Sequence, residues 1–274
     1  VSTDAITGWD EDANAEAYAA FARSWPMYSA SSRDLVDRAQ VSDSRLVVDM
    51  CGGTGTTAEA ILNRVSTQAR VISLDSSAAM QHAGQRALND ERLSWVTASA
   101  EDLAEHAPAG NVDAVVCNSA IWKCDVPAVF KAVCRVLRPG GRFAFNVGAS
   151  FAGLTHPDDQ NEDSRRSLDS LIRRIAIKDY GFIPPAVNNE QPKLPKEAIS
   201  RHLADAGIRL ESTCITAQRT TMAERRAWLS IPLFARPDNG FTYAQKMHIL
   251  EEAYSQVSPE EITMTRWLVI VAQV

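Results

Sequence analysis

The sequence predicts an α/β fold built on a doubly wound, Rossmann-like and mostly parallel sheet. Three observations carry that prediction. Apolar strands alternate with amphipathic helices five times between residues 46 and 148. The first strand, Leu46-Val47-Val48, runs straight into the glycine-rich turn of LVVDMCGGTGTTAEAIL, which then opens a helix. An acid, Asp75, ends the second strand 22 residues past Gly53, where a ribose-binding carboxylate belongs.

Each element follows in order. Residues 11–40 read as two helices, EDANAEAYAAFARSW and SSRDLVDRAQ, divided at Pro26, which removes a helical N–H. Tyr18, Phe21, Trp25 and Tyr28 recur at helical spacing and form one apolar face, read as docking area and as a lid. RVISLD (70–75) is the second strand, and the helix SSAAMQHAGQRAL takes Ser76 or Ser77 as its cap. LSWVTA (93–98) and VDAVVCN (112–118) are the third and fourth strands, with the loop or short helix AEDLAEHAPAG between them. The helix DVPAVFKAVCRVL aligns Val126, Val129, Val133 and Val136. Pro139-Gly140-Gly141 stops it, and GRFAFNVG (141–148) is the fifth strand.

Residues 149–195 break this rhythm with several prolines and one amphipathic helix carrying Leu168, Leu171, Ile172 and Ile175. An insertion at the carboxyl edge of such a sheet is where a lid over a substrate belongs. The helix KEAISRHLADAG, stopped by Gly207, and the strand IRLESTCITAQR resume the pattern. A helical insertion from AERRAWLSIPLF to YAQKMHILEEAYSQV precedes a last strand, TRWLVIVAQV, whose placement suggests a hairpin-like edge. No repeat or flexible linker interrupts the chain. One domain, 1–274, is expected: an N-terminal helical lid (1–45), a cofactor-binding core (46–148), a substrate-lid insertion (149–195), and C-terminal strands with a helical insertion (196–274).

Composition narrows the function. The net charge of −6 argues against steering toward nucleic acid, which needs a basic stripe. No apolar run approaches the roughly 18 residues of a membrane span. The opening VSTDAITGWDEDANAEAY is acidic and does not read as a signal peptide. Five cysteines, an odd number, do not form a disulfide framework, so a reducing cytoplasm is the expected location. A small-molecule substrate is expected, with neither nucleic acid nor membrane as partner. Oligomeric state is left open; a homo-oligomer would form through the N-terminal helices.

The glycine turn itself is ambiguous. Gly53-x-Gly55-x-x-Ala58 fits the dinucleotide fingerprint, so this stretch alone specifies only an adenosine-type cofactor. Asp49 favours a different ligand. A nicotinamide site binds pyrophosphate at this turn and has no use for a carboxylate there, whereas a cationic ligand does.

Taken together and in order, VVDMCGGTG, VISLDSSAAM, SAEDL, VDAVVCNSAIW and CRVLRPGGRFAFNV resemble the class I S-adenosylmethionine-dependent methyltransferases. The resemblance runs from about Trp9 to the C-terminus. It implies a seven-stranded sheet with an antiparallel last strand, S-adenosyl-L-methionine as cofactor and S-adenosyl-L-homocysteine as product. It also implies that Cys51, Gly52 and Gly53 line the methionine and ribose with backbone atoms, and that Asp75 takes the ribose hydroxyls. Ser76 and Met80 would pack beside the adenine, Ala100 and Glu101 would meet its edge, and Asn118 and Ser119 would lie near the sulfonium. In similar enzymes the N-terminal segment closes over the cofactor, which brings Tyr18 and Tyr28 toward the methionine end. One departure is visible. The family's D-x-G-x-G-x-G pattern has glycine where this chain has Cys51, so a difference in the turn is expected there.

Several residues have plainer readings. Trp122 and Trp267 read as packing residues, Lys123 and Arg138 as solvated. Cys124 and Cys214 lack the C-x-x-C or Cys/His spacing of a metal site, so no metal is expected. Of the five histidines, His156 follows the fifth strand and is the candidate general base over the acceptor. The expected function is methyl transfer to a bulky, partly apolar small molecule such as a specialised metabolite. The alternatives are an enzyme of this fold that binds the same cofactor but catalyses a cyclisation or another non-methylating step, a nucleotide dehydrogenase, and a non-catalytic binding protein.

Overall fold

The computed structural model describes residues 8–154, 167–184, 193–238 and 240–274. Its sheet is assembled from β1 (Leu46–Met50), β2 (Arg70–Asp75), β3 (Leu93–Thr97), β4 (Val112–Cys117), β5 (Leu137–Gly148), β6 (Arg209–Thr221) and β7 (Ile262–Gln273). The spatial order is β3-β2-β1-β4-β5-β7-β6. β7 runs antiparallel to both its neighbours and the other pairings are parallel, as the resemblance implied. The strand order reverses at β1, so β2 and β4 leave it on opposite sides. The crevice at such a reversal, outside the carboxyl ends of the strands, is where open α/β sheets bind ligands.

Alternation along the strands feeds two cores. Val48, Met50, Val115, Phe143, Phe145 and Ile270 face one layer, filled by α5 (Leu103–His106), α6 (Val126–Val136) and α8 (Lys196–Asp205). Val47, Ala114, Val116, Ala144 and Val269 face the other, filled by α2 (Pro26–Ala39) and α3 (Thr56–Leu62). Burial on both faces explains why these strands are apolar runs rather than alternating ones. The valine stripe of α6 is buried as the spacing required, and Asp125 caps the helix by accepting the Ala128 N–H. β5 starts four residues earlier than the glycine pair suggested, with a register shift between Val112 and Ala114 of β4 absorbing Pro139 to Gly141.

The flanking helices supply the site's roof. α1 (Asp12–Ser24) lays Ala15 and Ala19 against Ala79, Met80 and Ala83 of α4 (Ala78–Ala87), small residues that permit a close approach. Pro26 opens α2 at its first turn, where its missing N–H costs nothing. The aromatic face of these helices is covered within the same chain: Phe21 and Tyr28 are buried in the second core. α7 (Leu168–Tyr180), α9 (Met222–Leu229) and α10 (Tyr243–Tyr254) pack on one another as a separate apolar cluster that includes Leu168, Leu171, Ile172 and Ile175. Among the described residues, no helix is long and apolar enough to cross a membrane.

Candidate functional site

The turn after β1 is held by backbone. Gly52 N–H donates to the Leu74 carbonyl at 3.0 Å and Gly55 N–H to the Gly52 carbonyl at 2.9 Å. Cys51 sits at φ 56°, in the left-handed region that costs a non-glycine residue on the order of 1–2 kcal/mol. The conformation is therefore kept although glycine is not. Ser119, after β4, is at φ 56° as well. Both residues line one cavity of about 310 Å³ at the carboxyl ends of β1, β2 and β4. Strained backbone gathered at a cavity wall marks a site rather than a scaffold.

Asp75 forms the lip of that cavity. Its Oδ2 accepts the Gly53 N–H and its Oδ1 the Ser77 N–H, each at 2.8 Å. Burial pushes its pKa upward, and these two donors oppose the shift. A carboxylate oxygen so engaged keeps lone pairs for two ligand hydroxyls. Around it stand Ser76 and Met80 from the start of α4, Ala100 and Glu101 beyond β3, Asn118 and Ser119 beyond β4, and Tyr18 and Tyr28 from the N-terminal helices. Cys51, Gly52 and Gly53 complete the wall. Glu101 is also engaged structurally, with its Oε1 accepting the Asp125 N–H at 2.7 Å.

Asp49 is the exception among the residues singled out for this ligand. It is 1% exposed and lies beneath the turn rather than in the cavity wall. A Cβ added at Gly52 would stand 2.4 Å from Asp49 Oδ2, so the missing side chain is what lets the turn sit on the carboxylate. Asp49 Oδ2 accepts the Ser73 hydroxyl at 3.2 Å, while Oδ1 has no partner within hydrogen-bond geometry among the described residues. Burial raises its pKa to about 7. Any influence on a bound cation passes through the turn as a field, not as contact. His156 lies outside the described residues.

Asn118 is fixed by a polar network. Its Nδ2 donates to Ser31 Oγ at 3.0 Å and Ser32 Oγ at 2.9 Å, and its Oδ1 accepts Asn146 Nδ2 at 2.9 Å. Asn146 Oδ1 also accepts the Ser119 N–H at 2.6 Å, which holds the strained residue in place. Trp267 Nε1 donates to Ser119 Oγ at 3.0 Å. Residues from α2, β5 and β7 thus converge on the end of β4.

A second cavity of about 490 Å³ adjoins the first, and the two share Trp9, Tyr18, Tyr28, Ser119 and Lys123. Its far walls come from α7, α9, the end of β5 and the start of β7. Three sequence readings need correction here. Trp122 and Trp267 are not packing residues alone, since both line this cavity. Lys123 is not a solvated lysine: its Nζ lies 3.9 Å from the centre of the Trp9 ring and 5.7 Å from that of Trp122. Burial lowers its pKa. Arg138 is half-exposed and pairs with Asp113, as a surface arginine does. Trp9 was not singled out as a site residue and Lys123 was read as solvated because neither belongs to a motif; they meet where the start of the N-terminal helices docks on α4. The Trp9 carbonyl accepts the Ser77 hydroxyl at 2.9 Å, and Asp10 Oδ1 accepts the Ala79 N–H at 3.0 Å.

Among the described residues, no group of three or more His, Cys, Asp or Glu could hold a metal ion. Cys51 and Cys124 are free thiols with their sulfurs 3.8 Å apart. Hydrogen bonding to Cys117, then burial, pushes the Cys51 thiol well up, which keeps it protonated.

Comparison with known proteins agrees with this geometry. Residues 47–141 match the family model described as a methyltransferase domain. A trans-aconitate 2-methyltransferase from Azoarcus sp. (strain BH72) is 33% identical over 127 residues, covering 46% of this chain and 48% of its own. A ubiquinone/menaquinone biosynthesis C-methyltransferase from Bartonella quintana (strain Toulouse) is 34% identical over 100 residues, 35% of this chain and 38% of its own. The chain spans about half the length, or less, of these curated relatives. Among solved structures, a geranyl diphosphate methyltransferase in complex with SAM superposes with a TM-score of 0.51 at 18% identity, covering 89% of this chain and 84% of that one. The [4+2]-cyclase SpnF superposes with a TM-score of 0.54 at 13% identity, covering 89% and 80%. At these identities the superpositions speak for the fold, while the glycine turn, Asp75 and the domain match speak for the cofactor. Residues 47–141 thus match a methyltransferase domain, and the sheet that carries them has the fold of the S-adenosylmethionine-dependent methyltransferases that the sequence resembles.

Proposed function

We propose that the protein transfers the methyl group of S-adenosylmethionine to a small-molecule acceptor with a bulky, partly apolar body, such as a specialised metabolite. The observation that carries this reading is the junction of two cavities over one shared wall of Tyr18, Tyr28 and Ser119. A cofactor in the first and an acceptor in the second would meet there. The first has the size and the polar fittings for an adenosine-type ligand, and the second falls in the range of small-molecule pockets. The trans-aconitate and ubiquinone/menaquinone relatives are named for small-molecule acceptors, which points the same way.

When bound, the cofactor supplies a methyl group already activated on a sulfonium. The chain's own residues therefore have to bind, orient and keep water out. Asp75 accepts the ribose hydroxyls. Gly53 leaves open space on the ligand side, since a Cβ there would meet nothing within 4 Å. Tyr18 and Tyr28 stay neutral, because burial raises both phenols, and they close the methionine end as apolar plates. α1 and α2 act as the lid over the cofactor, and α7 with α9 covers the acceptor. The free cysteines fit a reducing cytoplasm.

Calorimetric titration with S-adenosylhomocysteine and with NADH, followed by a metabolite screen using labelled methyl donor, tests the proposal. Binding of the first ligand alone, with label passing to a small molecule, supports it. Cofactor binding with turnover but no labelled product would establish the non-methylating alternative. NADH binding in place of S-adenosylhomocysteine would end the methyltransferase reading.

A further inference from the structure

We propose that the acceptor is an anion with a flat apolar body, and that Lys123 holds its negative charge at the junction of the two cavities. This rests on the methyl-transfer reading only in calling the occupant of the second cavity an acceptor.

The walls of that cavity combine two kinds of group. Trp122, Phe151, Trp228, Phe234 and Trp267 offer ring faces to an apolar body. Among the described residues, Lys123, Arg225, Arg236 and Arg266 line the same space with one carboxylate, Asp169. The whole chain has a net charge of −6, so this gathering of cations runs against its composition. Among the described residues, carboxylates pair with Arg225 and Arg236. Arg225 Nη2 lies 2.6 Å from Asp169 Oδ2, and Arg236 pairs with Asp238.

Lys123 is answered differently. Among the described residues no carboxylate lies within ion-pair distance of it; Asp75 acts on it from farther off, and its close contacts are the Trp9 and Trp122 ring faces. Ring faces compensate an ammonium only partly for lost water. An ammonium at the junction of two cavities, held by ring faces and by no ion pair among the described residues, is the complement of an anionic group. The cofactor's own carboxylate is a second candidate source of that charge. The distribution of charge favours the acceptor: among the described residues no arginine lines the first cavity, whose acids are Asp75 and Glu101, while Arg225, Arg236 and Arg266 line the second.

The test uses acid and amide pairs of the same shape, 2-naphthoate with 2-naphthamide and cinnamate with cinnamamide, titrated into the full chain saturated with S-adenosylhomocysteine. Each acid should bind about tenfold or more tighter than its amide, the range of one charge-assisted hydrogen bond. In Lys123→Met the acid-to-amide ratio should fall below about threefold, and in Lys123→Arg it should persist. Three results would overturn the proposal: equal affinity for acid and amide in the native chain, no binding of any member of either pair, or a preference for acid that survives Lys123→Met. If that surviving preference came with a tenfold loss of S-adenosylhomocysteine affinity, the ammonium would belong to the cofactor's carboxylate. A native chain that prefers the acids in cofactor-free titrations but does not bind S-adenosylhomocysteine would fail the methyltransferase reading while keeping the anion site.

Discussion

Trp228 Nε1 donates to the Tyr28 hydroxyl at 3.0 Å, joining α9 to α2 across 200 residues of chain. Tyr28 packs on Tyr18 with ring centres 5.1 Å apart, and Trp228 stacks on Phe234 at 4.1 Å. The roofs of the first and the second cavity are therefore one aromatic assembly. Tyr28→Phe would leave the Trp228 donor without an acceptor, at a cost of about 1–2 kcal/mol. A urea-denaturation cycle with Trp228→Phe should show a coupling on the order of 0.5–1.5 kcal/mol. Strict additivity would mean that the two roofs are independent.

Asp75→Ala should weaken S-adenosylhomocysteine binding by roughly ten- to a hundredfold while the fold persists, because a charged acceptor for two hydroxyls is lost. Asp75→Asn should fall between, since an amide oxygen still accepts. Calorimetry gives the affinities and circular dichroism the fold. Unchanged affinity in the alanine variant would remove Asp75 from the ribose.

Two adjacent glycines should fail in opposite ways. A Cβ at Gly52 would lie 2.2 Å from Ser73 Oγ and 2.4 Å from Asp49 Oδ2, so Gly52→Ala should lose stability, by about 1–3 kcal/mol. At Gly53 the space is open toward the cavity and φ is +52°. Gly53→Val should destabilise through backbone strain alone, yet abolish cofactor binding by filling the ligand's volume. Thermal melts with and without S-adenosylhomocysteine separate the two; normal ligand stabilisation of Gly53→Val would show that this turn binds nothing.

Asp49 sets a pH dependence whose sign follows from its raised pKa. Burial lifts the carboxyl from 3.8 to about 7, so the folded chain holds this proton more tightly than the unfolded one. Its contribution to stability is full below about pH 4 and is lost as pH rises to about 7, by up to about 4 kcal/mol. Asp49→Asn should flatten that slope in denaturation measured from pH 5 to 8. The ionised form should also favour the sulfonium, so affinity for S-adenosylmethionine relative to the neutral thioether S-adenosylhomocysteine should rise through pH 7. A constant ratio would leave Asp49 a purely structural acid.

Residues 11–30 should gain hydrogen-exchange protection when S-adenosylhomocysteine is added. α1 is held by small-residue packing on α4, by Phe21 in the second core and by the Trp9 and Asp10 contacts at Ser77 and Ala79, and it roofs the first cavity, so a ligand bound beneath it adds to its protection. Equal protection in both samples would identify a permanently docked helix instead of a lid.

The turn and Asp75 were legible in the sequence because their chemistry is local: apolar strand, glycines and acid follow one another at short, regular spacing. The same holds for the Pro26 break and the valine stripe of α6. Lys123 was illegible for the opposite reason. Nothing near it marks burial, and its surroundings are made by Trp9, brought in from the N-terminus. Trp267 reads as an ordinary core residue along β7 until the sheet order places it beside Ser119. Asp49 was found but misplaced, since alternation along β1 says which face a side chain takes and not whether a turn will lie over it. Cys51 shows that a left-handed position does not require glycine when the strand and helix on either side hold it there.

The strand order also dictates a sequence of assembly. β7 leaves the ribosome after β6 yet lies between β5 and β6, bonded to both. Until Ile262–Gln273 are made, β6 has no neighbour in the sheet, whereas β1 to β5 can pair as they emerge. The half that grips the cofactor can thus form during synthesis, and the half that shapes the second cavity must wait for the final strand. Chains ending before Ile262 would present the cofactor fold without the second cavity, a state that pulse-labelled exchange during refolding should catch as early protection of β1 to β5 and late protection of β6.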